Sequence, residues 1–91
     1  MHRLFNRLAV AYLSARLRDA LPKGYRVYKV DHYSEHRHLA PHLHIERCSA
    51  PDLDFFAVVS SDTHCVSSVG RSRRHAVENC IAKITRHRGN S

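Results

Sequence analysis

The run Gly70-Arg71-Ser72-Arg73-Arg74-His75-Ala76 sets three arginines around a serine and leads straight into Val77, Cys80, Ile81 and Ile84. Those apolar residues recur at helical spacing, so the arginines stand at the start of an amphipathic helix. The first amides of a helix lack intrahelical acceptors, and its dipole favours negative charge there. Ser72 is suited to cap those amides, and Gly70 lets the chain turn tightly before them. Phosphate is the expected guest, because guanidinium forks bidentately onto phosphate oxygens. Arg71, Ser72, Arg73, Arg74 and His75 form the expected site, with the arginines open to solvent and Arg3, Arg7, Lys83 and Arg86 as flanks.

Five histidines, His32, His36, His38, His42 and His44, offer a different chemistry. Two His-x-His pairs on extended backbone would each turn both rings to one side, as zinc or copper requires. Only Cys48, His64, Glu35 or Glu46 could complete such a set, so neither metal nor cofactor is expected, and His42 and His44 read instead as partner-facing residues. Asp52 and Asp54 read as turn residues rather than a catalytic pair. Tyr33, in a loop, is the aromatic residue placed to meet a ligand. Cys48, Cys65 and Cys80 contain no CxxC pair, which suggests neither a disulfide framework nor a zinc ribbon and points to a reducing, cytoplasmic setting.

These residues need a scaffold, and 91 residues with 43% apolar content support one basic domain over 1–91 with a single core. Fifteen Lys and Arg against eight Asp and Glu give +7, and twelve of the fifteen cations are arginine. An anionic partner is expected. No apolar run reaches the ~20 residues that span a bilayer, so a soluble protein with no membrane partner is expected. Residues 1–18 are Arg-rich and free of acids, like a mitochondrial presequence, but they carry apolar surface that a small domain needs and read as an integral helix.

That first helix, Arg3 to about Leu21, carries two apolar seams. The broad one, Leu4, Phe5, Leu8, Ala11, Tyr12 and Ala15, is expected in the core. The narrow one, Val10, Leu13, Leu17 and Leu21, is left for the loop 31–41 or for a homodimer through Val10, Leu13 and Leu17. Pro22-Lys23-Gly24 ends the helix, and strands are expected at 25–30, 42–47, 55–59 and 65–69, the last two as a hairpin. A helix over 72–87 closes the chain. The expected architecture is an α+β two-layer sandwich of order α-β-β-β(-β)-α, with a mainly antiparallel sheet and both helices on one face.

Within residues 63–85, Gly70, Ser72, Arg73, Arg74, Ala76, Cys80 and Ile81 follow the pattern of the double-stranded RNA-binding domain, which the chain resembles there. Ala40-Pro41-His42 is also similar to that family's Gly-Pro-x-His loop. The resemblance implies an α-β-β-β-α fold in which Arg73 and Arg74 contact phosphates across the major groove of an A-form duplex. Ser68 replaces the family's glycine, Val77 a third basic residue, and the first helix lacks the Gln or Glu that would read minor-groove hydroxyls.

The reading is a non-enzymatic module that docks on nucleic acid, RNA above all, through backbone contacts. One alternative is a phage-type inhibitor similar to the anti-CRISPR proteins, which binds a host protein or ribonucleoprotein complex. Another is a ribonuclease similar to the HicA-type toxins, with His42 or His44 moving the proton of a ribose 2′-OH. Nine histidines bring the charge from +7 toward 7 + 9 = +16 when all are protonated. Binding to duplex RNA at fixed salt is therefore expected to tighten as pH falls from about 8 to about 5.5, and equal affinities by fluorescence anisotropy would refute it.

Overall fold

The computed structural model describes residues 2–33, 41–50 and 52–89. Three strands, β1 (Arg26–His32), β2 (Phe55–Ser60) and β3 (Cys65–Gly70), form an antiparallel sheet in the order β1-β2-β3. Three helices cover it: α1 (His2–Arg16), α2 (Pro41–Ser49) and α3 (Arg73–Gly89). The α+β sandwich expected from the sequence is present, with α1 and α3 together on one face. The segment 42–47, expected as a strand, is instead helical and forms the core of α2.

β2 is central, and its alternation divides the interior. Ala57 and Val59 face α1 and α3 in a cluster with Leu13, Leu17, Val27, Val30, Ala76, Val77, Cys80 and Ile84. Phe56 faces the other way and meets Leu43 of α2 and Val69 of β3. The hairpin pairs Ser60 with Cys65 and Phe55 with Gly70, and Ser61 N–H donates to His64 O at 2.8 Å in the turn. β1 carries a bulge between Val27 and Lys29, which leaves Tyr28 unpaired in the register.

α1 is shorter than its apolar pattern suggested. Leu17 N–H still donates to Leu13 O at helical spacing, Ala20 N–H to Leu17 O at 3.0 Å closes a tighter turn after it, and Gly24, at φ 87°, turns the chain into β1. Its seams are the reverse of the expectation. Leu13 and Leu17 are 3% and 6% exposed, whereas Leu4, Phe5, Leu8 and Tyr12 are 63%, 58%, 57% and 57% exposed. Val10 and Leu21 pack at the margin of the core. Of the residues expected to offer a homodimer seam, Leu13 and Leu17 are turned into the sheet of their own chain and Val10 packs at its margin.

Pro41 at the first position of α2 has no N–H to lose, which suits a helix start. Asp31 and His32, placed in the loop by the sequence, extend β1, and the rest of that loop, 34–40, lies outside the described residues. Cys80 is fully buried, as its position on the helix stripe implied, and Cys48 and Cys65 are exposed free thiols. Burial pushes the Cys80 thiol up from 9.0 to about 12, against the opposing pull of Lys83, so it stays protonated and donates to Ala57 O at 3.4 Å.

The two seams are separable by stability. Leu13→Ala is expected to cost about 2–5 kcal/mol, and Leu8→Ala no more than about 0.5 kcal/mol, in urea unfolding. Equal losses would contradict this packing.

Candidate anion interface at the start of α3

The approach of α3 to the sheet is set where β3 ends. A Cβ on Gly70 would overlap the backbone nitrogen of Ala76 and come within 2.7 Å of its Cα, so only glycine admits the first turn of α3 there. Asn79 Nδ2 donates to Val69 O at 2.8 Å and fastens the strand end to the helix. Together these contacts fix the junction on which Arg71 to His75 sit.

Ser72 is the N-cap. Its Oγ accepts the His75 N–H at 3.1 Å, and its carbonyl accepts the Ala76 N–H at 3.0 Å. The His75 ring folds back so that Nδ1 accepts the Arg71 N–H at 2.9 Å, which requires that nitrogen to be unprotonated. The amides of Arg73 and Arg74, first and second in the helix, have no acceptor among the described residues.

The three arginines differ. Arg73 is held: its Nε donates to Asn6 Oδ1 at 3.2 Å, and its guanidinium lies 5.0 Å from the Phe55 ring centroid. On the same ring, His32 packs at 4.5 Å, tilted by 53°. Arg71 pairs with Asp52 at 2.8 Å, with side chains 72% and 58% exposed. Arg74 lies 3.6 Å from Glu78, one turn along the helix. Both remain open to solvent, but each already has a carboxylate, so the local balance is 3 − 2 = +1 before flanking residues.

Asn6 brings the N-terminal half of α1 beside this junction, and Arg7, the next residue, is exposed. Arg3 also lies on α1. Arg86 is exposed farther along α3. Lys83 serves the fold instead: its Nζ pairs with Glu46 of α2 and donates to Ser67 O at 3.0 Å.

His42 and His44 are on α2, where residues two apart point in different directions, so the shared-side geometry expected on a strand is lost. His42 Nε2 meets Ser67 Oγ at 2.8 Å, and His44 Nδ1 is bonded to the Tyr33 hydroxyl. Tyr33 itself packs in the second cluster, with the Arg47 guanidinium 4.6 Å from its ring centroid. Arg47 also pairs with Asp54 at 3.2 Å, which gives Asp54 a structural partner. His36 and His38 lie outside the described residues. Among the described residues no three His, Cys, Asp or Glu side chains converge as a metal site.

Sequence reasoning missed Asn6, Phe55 and Asn79. Asn6 is 67 residues from Arg73, and no local pattern could have joined them. No protein family, curated protein or solved structure matches the chain.

Gly70→Ala is expected to destabilise the protein by about 2–3 kcal/mol in thermal or urea unfolding, because the clash is with backbone that cannot rotate away. Gly24→Ala, at a positive φ but in open space, should cost less.

Proposed function

We propose that the protein is a non-enzymatic binding module that docks on the phosphate backbone of duplex nucleic acid, RNA above all, through the start of α3. The observation that carries this reading is Arg73, first residue of α3, whose guanidinium is held by Asn6 and Phe55 at a helix start capped by Ser72. A pre-held guanidinium loses little rotamer entropy on meeting phosphate, and the amides add donors aimed along the helix axis.

The carboxylates of Asp52 and Glu78 compete but do not forbid binding. Exposed ion pairs contribute about 0–1 kcal/mol, less than a bidentate arginine–phosphate contact at a helix start. Arg71 and Arg74 can exchange their carboxylates for phosphates. The chain runs α1-β1-α2-β2-β3-α3, so a helix stands between the first two strands, where the partial double-stranded RNA-binding resemblance implies an unbroken β-β-β run. The first helix turns Leu4, Phe5, Leu8 and Tyr12 outward and has no Gln or Glu to read minor-groove hydroxyls. Recognition therefore rests on backbone contacts and varies little with base sequence.

The test is fluorescence anisotropy with labelled duplex RNA over a salt series. Three arginine contacts should give a slope of about −3 in log K against log salt. The double variant Arg73→Glu with Arg74→Glu should lose about tenfold or more in affinity, and Asp52→Asn, which removes an internal competitor, should bind several-fold tighter. Unchanged binding in the double variant would overturn the reading.

A further inference from the structure

The outer face of α1 carries four of the six large apolar side chains exposed among the described residues, and the contact proposed at the start of α3 does not use them. Leu4, Leu8, Tyr12 and Phe5, with Ala11 and Ala15 between them, cover an arc of about 120°, directed away from the buried Leu13 and Leu17. Arg7 lies along one edge of this strip and Arg16 along the other, with the Arg16 guanidinium 6.0 Å from the Tyr12 ring centroid. From His2 to Arg16 there is no carboxylate. Neither of these arginines is paired with an acid among the described residues.

Charge decides the occupant. A second copy laid strip to strip would bring arginine edges against arginine edges with no acid to relieve them. A protein groove sets its register with charges of both signs, and this strip has one sign on both edges. A uniformly negative plane with an apolar interior complements the middle and both edges at once. We propose that the outer face of α1 docks on an anionic lipid surface, lying in the interface with Leu4, Phe5 and Leu8 inserted and the arginines reaching the headgroups. Among the described residues no helix is long and apolar enough to cross a membrane, so the contact is with the surface only.

The experiment is co-sedimentation of the full chain with vesicles of phosphatidylcholine alone and of phosphatidylcholine mixed equally with phosphatidylglycerol. Binding is expected to the mixed vesicles and to be at least about tenfold weaker on the neutral ones. Leu8→Gln and Phe5→Gln, both outside the core, should keep the wild-type circular dichroism and melting temperature and lose about tenfold in vesicle affinity. Arg7→Gln combined with Arg16→Gln should abolish the preference for anionic lipid. Arg73→Glu with Arg74→Glu should leave vesicle binding in place, which separates this surface from the nucleic-acid contact. The proposal is overturned if the protein stays in the supernatant with both vesicles, binds both equally, or binds as well with Gln at position 8. A concentration-dependent dimer that Leu8→Gln dissolves would overturn it too.

Discussion

The structure depends on how closely α3 lies against the sheet. Ala57 on the central strand and Ala76 in the first turn of the helix are both fully buried, and Gly70 presents no side chain where a methyl group would meet backbone. Small residues at three matched positions let the helix come close enough for Val77, Cys80 and Ile84 to join the buried cluster. The same closeness fixes Ser72 as the cap, leaves Arg74 exposed and sets Arg73 against Asn6 and the Phe55 ring. The candidate interface is thus a by-product of packing: its backbone cannot move without opening the core.

That placement also explains why α1 buries the seam it does. α3 lies over β2 and β3, which leaves α1 mainly the edge strand β1. A helix over an edge strand, beside another helix, has room for a narrow row of side chains. Leu13 and Leu17, one turn apart and flanked by Val10 and Leu21, fit such a row, whereas the strip from Leu4 to Tyr12 with two aromatic rings is too wide. Hydrophobic periodicity was legible in the sequence, and so was the existence of two seams. Which seam wins is decided by the space α3 leaves, a tertiary quantity that residue spacing in α1 does not contain.

The segment His42 to Arg47 was illegible for a different reason. Leu43 and Ile45 alternate with polar residues as a half-buried strand would, yet only Leu43 is buried, and Ile45 is 69% exposed. A nine-residue helix anchored by one leucine has too few apolar positions for a 3.6-residue period to register. Pro41 was the available signal, because proline favours the first helical position as well as the loop it was assigned to. By contrast β2, β3 and α3 were readable almost to the residue. Their cues are local: a dense β-branched and aromatic run, a Ser-Ser-Asp-Thr turn, and a glycine and serine before an apolar stripe.

The distribution of charge follows from these placements. α2 and the chain before β2 bring Glu46, Asp52 and Asp54 to the side of the sheet where β3 ends and α3 begins, and these acids pair with Lys83, Arg71 and Arg47. Glu78 does the same for Arg74. Compensation is therefore concentrated around α2 and α3, while α1 supplies arginines and no acid. A net charge of +7 spread evenly would give weak, undirected attraction, but among the described residues the ion pairs gather around α2 and α3 and none involves an arginine of α1. The same helix turns Leu4, Phe5, Leu8 and Tyr12 outward. Apolar exposure and unpaired positive charge coincide on α1 because β1 takes its narrow seam, which leaves the broad one outside, and because the helix has no acid of its own to pair its arginines.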